Sequence, residues 1–169
     1  MGREDRIWAP ESSAYDAFFK AARGDNVRDL ETALTPEIDI NALHGDGWEG
    51  EAALHMAASS GTIETLKFLL ARGVDVNILD ETVEGSDLPL HMAACSANRD
   101  KVKLLLDSGS ERDRKGMCER TPLHMVLWGK RKVEPHHVET ITLLLDYGLD
   151  INESGVASDH YGFPCCGKV

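Results

Sequence analysis

Apolar positions recur with a helical period along most of this chain. In residues 63–72, Ile63, Leu66, Leu69 and Leu70 fall on one face, and Val138, Ile141, Leu144 and Leu145 do the same in 138–147. Steps of three and four predict an amphipathic helix in each place. Glycines follow the periodic segments at Gly73, Gly109 and Gly148, as suits a left-handed residue just past a helix end. A shorter apolar stretch precedes each segment: ALHMAASSG (53–61), PLHMAACSA (89–97) and PLHMVLWG (122–129). Further upstream, SSAYDAFFKAARGDN offers Ser12 or Ser13 as a helix cap and Tyr15, Phe18, Phe19 and Ala22 as an inner apolar set. Each helix pair has one apolar face more than a lone hairpin can bury, so neighbouring pairs must stack.

The segments are copies of one unit. Residues 53–77, 89–113 and 122–152 align on Leu-His-Met, a helix, a glycine and an Asp-x-Asn-like step. His55 to His91 is 36 residues and His91 to His124 is 33. TPLHMV (121–126) resembles the T-P-L-H-x-A signature of the ankyrin repeat, with LPLHMA (88–93) and AALHMA (52–57) as partial matches. AFFKAARGDNVRDLETALTPEIDIN (17–41) is similar to a divergent N-terminal capping repeat that lacks the signature. The resemblance implies an all-α fold, a solenoid of stacked helix-turn-helix units with β-hairpin fingers and a truncated last repeat. The expected divisions are a lead (1–11), a capping repeat (12–43), repeats at 44–79, 80–115 and 116–154, and the start of an incomplete one (155–169). Within the motif, Thr121 is expected to cap a helix and Pro122 to open it. His55, His91 and His124 are expected to bond backbone rather than to act as ligands or catalysts. Met56, Met92 and Met125 are expected in the packing between repeats. Trp8 is expected to pin the lead to the first helices.

Composition narrows the partners. A formal charge of -11 disfavours nucleic acid and anionic membranes and suits a protein with a basic patch. No apolar run approaches the ~20 residues of a membrane helix, and the first residues lack a signal-peptide core. Cys95, Cys118, Cys165 and Cys166 form neither a C-x-x-C pair nor a disulfide framework, so a reduced protein of cytoplasm or nucleus is expected. No catalytic motif is present, and no cofactor or metal is called for. The expected function is a non-catalytic protein-interaction module. The alternatives are a cryptic enzyme on the same scaffold and a subunit completed by another chain.

Departures from the repeat locate the candidate site. Asn41 to His55 and Asn77 to His91 are each 14 residues, against 11 from Asp113 to His124, so two fingers are longer. Residues 44–51 and 80–87 carry seven acids and no Lys or Arg, whereas 112–120 carries Arg112, Arg114, Lys115 and Arg120 against two acids. Fingers of opposite charge either pair with each other or form a rim that reads a partner. Trp48, between glycines, either anchors a partner or folds back on the fingers. An insertion in 128–139 places Lys130, Arg131 and Lys132 between two helices, and the adjacent His136 and His137 point apart on a helix. The candidate partner-binding residues are Asp46, Trp48, Glu49, Glu81, Glu84, Arg114, Lys115, Trp128, Lys130 and Arg131. Finally, Asn152 to Cys166 is again 14 residues, which lays Phe163–Cys166 on the T-P-L-H position. That end is expected to fray or to pack on another molecule, including a second copy.

Overall fold

The computed structural model describes residues 7–45, 50–81 and 87–153. The chain forms α1 (Ser13–Arg23), α2 (Val27–Ala33), β1 (Leu43–Gly45), β2 (Gly50–Ala52), α3 (Ala53–Ser59), α4 (Ile63–Ala71), α5 (Pro89–Cys95), α6 (Arg99–Asp107), α7 (Pro122–Leu127) and α8 (Pro135–Asp146). The odd-numbered helices make one layer, with α3 between α1 and α5 and α5 against α7. The even-numbered helices make the second, with α4 between α2 and α6 and α6 against α8. Each pair thus buries on its neighbours the apolar face it cannot cover alone.

Local chemistry sets the helix ends. Ser12, Asn26, Thr62 and Asn98 cap α1, α2, α4 and α6 by accepting a backbone N–H in the first turn. Gly73, Gly109 and Gly148 follow α4, α6 and α8 with φ of +80°, +93° and +86°, as expected of residues just past a helix end. The Asp-x-Asn steps do two jobs. Asp39 and Asp75 each accept the amide of the Asn two residues on, which closes a local turn. Asn41 then accepts the Asp75 amide at 2.9 Å and Asn77 the Glu111 amide at 2.8 Å, tying each unit to the next. The third step has Asp113 in place of Asn, and Asp113 bonds Arg112 instead.

The core runs unbroken through the units: Phe18 and Leu30, then Leu54, Leu66 and Leu69, then Leu90, Val102 and Leu105, then Met125 and Leu144. Met56, Met92 and Met125 are all buried in it, as expected for packing between repeats. Ser110 stands where the neighbouring units have Val74 and Leu149, and its buried hydroxyl has no partner. Trp8 departs from expectation. Its backbone bridges Leu43 and its ring lies against Gly50, so the lead docks on the first finger rather than on the helices. No helix among the described residues is long and apolar enough to cross a membrane.

Candidate interaction surface

Each finger is held at its root by a histidine on the helix that follows it. The amides of Ala52 and Leu88 donate to Nδ1 of His55 and His91 at 3.2 and 3.0 Å. With Nδ1 accepting, the proton sits on Nε2. Nε2 of His55 donates to the Asp87 carbonyl at 3.0 Å, and Nε2 of His91 is shared between the Arg114 and Arg120 carbonyls at 3.1 and 3.2 Å. A ring on one unit therefore positions the finger of the next. Burial pushes the His91 imidazole below its ordinary 6.5, against the opposing pull of the Asp87 carboxylate. His124 repeats the first half of the pattern, with its Nδ1 facing the Thr121 amide and hydroxyl. Thr121 thus meets the imidazole rather than capping the helix backbone as expected. His137 uses the same device at the start of α8, accepting the Glu134 amide at 3.0 Å.

The first finger is the antiparallel pair β1–β2, with Leu43 opposite Ala52. It joins the second finger through Gly50 and Glu81, which exchange two backbone bonds of 2.8 and 2.9 Å. The second finger closes when the Asp87 amide bonds Asp80 at 2.6 Å. It reaches the third when the Asp87 carboxylate accepts the Met117 amide at 2.8 Å. There is room for that carboxylate because residue 116 is glycine. A Cβ on Gly116 would stand 1.8 Å from the Asp87 oxygen. Asp80, Glu81 and Asp87 are consequently all buried. Between described residues, the bases of the third finger pair locally or with the next unit: Arg114 with Glu111, and Lys115 with Glu153 at 2.7 Å. The Glu153 hydrogen bond holds the Lys115 ammonium above its ordinary value.

Two buried cations stand out among the described residues. Lys101, 3% exposed, donates to the carbonyls of Ala57 and Ala58, both at 3.0 Å, at the end of α3. Thr65 and Thr140 hold the corresponding places in α4 and α8 and bond Gly24 and Ala97. Arg120 lies at the root of the third finger, with its guanidinium carbon 3.2 Å from the centre of the Trp128 ring. Trp128 caps the end of α7 and packs on the core.

The candidate residues separate accordingly. Glu81 is 6% exposed, so it is a joint between fingers and not a rim residue; its backbone pairing with Gly50 draws it inward. Arg114 and Lys115 sit at the surface in ion pairs, and Lys130 and Arg131 are exposed. Trp128 is half-buried beneath Arg120. Asp46, Trp48, Glu49 and Glu84 lie outside the described residues, as does the 155–169 segment. His136 and His137 do not diverge as expected, their ring centres being 4.1 Å apart. Cys118 forms no disulfide among the described residues, and Cys95 is buried in α5. The roles of Asp87, Lys101 and Arg120 were not singled out from sequence. The available signal was a charge at a repeat position where the other units differ: Lys101 against two threonines, Arg120 against Glu51 and Asp87.

Stacked helix pairs with histidine-anchored fingers define a helical repeat solenoid. The family model for ankyrin repeats (3 copies) matches residues 18–116 and 54–155, and the chain belongs to that family. Members generally serve as protein-interaction modules. A comparison with curated proteins found no match.

Proposed function

We propose that this chain is a non-catalytic interaction module that holds a partner protein with its fingers and the groove beneath them. The observation that carries the reading is the rigid, charge-divided row of finger roots. Histidines 55 and 91 fix the root of each finger to its neighbour, so the roots themselves need no ordering at binding. The first two fingers are acidic and the third basic. A partner with a basic patch fits the acidic end, whereas nucleic acid and anionic membrane do not. In this reading the compartment is the cytoplasm or nucleus.

Immobilised protein should capture one dominant partner, and Trp48→Ala and Glu49→Lys should each weaken that capture roughly tenfold or more. Undiminished capture by both variants would sink the finger-rim reading.

A second reading, that another polypeptide stacks on the last helix pair, is favoured by the outer side of α7 and α8. Leu127 and Val138 there are 42% and 52% exposed, and Leu123 is only half-buried where Leu54 and Leu90 are fully covered. Light scattering should then show a dimer that Leu127→Glu with Val138→Glu turns into a monomer. A monomeric wild-type protein at 100 μM (roughly the range of weak association) would dismiss it.

A further inference from the structure

We propose that Arg120 and Trp128 form a receptor for a carboxylate of the partner, placed at the basic end of the finger row. The proposal rests on the interaction-module reading and names the chemistry of a second anchor. Arg120 is 7% exposed, yet among the described residues its guanidinium makes no ion pair and no side-chain hydrogen bond. Lys101, the other buried cation, has its two carbonyls. A buried charge without an acceptor is costly, and native structures rarely leave one unmatched without a use for it. The buried carboxylate of the neighbouring finger, Asp87, is already taken up by the Met117 amide.

What holds Arg120 is the indole of Trp128, 3.2 Å away. A guanidinium tolerates this better than an ammonium does, because it is planar, weakly hydrated and attracted to a ring face. The stack fixes the plane of the fork and leaves its N–H edge uncommitted. That edge is not sealed: the polar atoms both sealed and unpartnered are Ser110 Oγ and Trp128 Nε1. A pre-oriented fork with an open edge is the geometry that takes a carboxylate through two parallel hydrogen bonds. Trp128 Nε1 is sealed and takes no part in binding, but its N–H lies in the ring that carries the guanidinium and so reports on the stack.

Surrounding charge decides between anions. Lys130, Arg131 and Lys132 follow Trp128 after one glycine and are exposed, which adds positive charge near the place. The whole chain carries -11, which repels a doubly charged phosphoryl group about twice as strongly as a single carboxylate. The occupant is therefore an Asp or Glu side chain. Together with the acidic first and second fingers, this gives the partner a direction: its basic segment lies over units one and two and its acid at unit three.

The test is an NMR titration of the full chain with an acetylated, amidated Ala-Glu-Ala-Glu-Ala peptide, with its glutamine and phosphoserine counterparts in parallel. The Nε–H of Arg120 and the indole N–H of Trp128 should shift saturably with the glutamate peptide and stay still with the glutamine one. Arg120→Gln should weaken binding roughly ten- to a hundredfold, and Arg120→Lys about tenfold, since it keeps the charge and loses the fork. Equal responses to glutamate and glutamine peptides, or unchanged binding by Arg120→Gln, would overturn the receptor. Tenfold tighter binding of the phosphoserine peptide would overturn the carboxylate assignment in favour of a phosphopeptide. If Arg120→Gln fails to fold, the two wild-type resonances decide alone. Partner capture that depends on Glu49, with no carboxylate response at Arg120, sinks the receptor and leaves the module. The converse result sinks the finger rim and leaves the receptor.

Discussion

Lys101→Met should lower the stability of the folded chain by about 2–4 kcal/mol, which for a domain of this size shifts the unfolding midpoint by roughly 5–15 °C. Methionine preserves most of the lysine stem, so little volume is lost. What disappears is the ammonium that serves the Ala57 and Ala58 carbonyls, each at 3.0 Å. Both belong to the last turn of α3, where carbonyls have no partner inside the helix, and both alanines are fully buried. Two dry acceptors cost about 1–3 kcal/mol each. Relief from holding a desolvated cation offsets part of that, which is why the net falls below their sum. Lys101→Thr should lose less, because Thr65 and Thr140 make a single such bond from the same repeat position.

The same lysine leaves a pH signature. Burial pushes its ammonium below the ordinary 10.5. As pH rises, the folded state gives up this proton before the unfolded chain does. Between the folded value and 10.5 the unfolded chain holds more protons, so this group's contribution to stability rises with pH across that window. Below the window both states are charged and the burial cost is constant. Urea unfolding of wild type and Lys101→Thr at several pH values should show the gap between them widening in favour of wild type towards pH 10.5. A gap that is flat with pH, or a Lys101→Met variant within about 0.5 kcal/mol of wild type, would contradict the account; surface changes alone stay in that range.

The repeat was legible because it is written in residues with few alternatives. A helix period, a glycine that must be left-handed at Gly73, Gly109 and Gly148, and a histidine three places into a helix admit one reading once they recur. The surface was less legible, for a physical reason. Charge counted along a finger does not say which way a carboxylate turns. Glu81 belongs to an acidic finger by sequence, but its backbone pairs with Gly50 and carries it inward. Asp87 looks equally like a rim acid, and it is a buried bridge because Gly116 makes room for it. Arg120 counted only as one base among four until its stack on Trp128 placed it. Trp8 is expected on the first helices, whereas the small residue facing its ring is Gly50 in the finger. Repeat chemistry fixes the backbone, and departures from it are settled by contacts between units, which no single unit's sequence contains.

Gly61→Ala should cost about 2–3 kcal/mol, a typical figure for overpacking a dense core, and the damage should be directional. A Cβ there would lie 2.7 Å from the Ala22 carbonyl oxygen, 2.8 Å from Ala57 Cα and 3.1 Å from the Ala57 carbonyl oxygen. All three are backbone atoms, so no side chain can turn aside. Ala22 is in α1, so relief of the shortest contact requires the first unit to move away from the second, while the two Ala57 contacts lie within the second unit and strain the α3–α4 turn. Because each unit touches only its neighbours, that movement should weaken one interface and leave the rest. Hydrogen exchange should therefore show α1 and α2 opening at lower free energy while α5 and α6 keep their protection. Gly73→Ala is the contrast. Its Cβ would meet nothing within 4 Å, and its cost is the left-handed backbone alone, about 1–2 kcal/mol. It should lower stability without singling out the first unit. A uniform loss of protection in Gly61→Ala would mean that the array unfolds as one body, and that close approach at Gly61 does not set the spacing of the first two units.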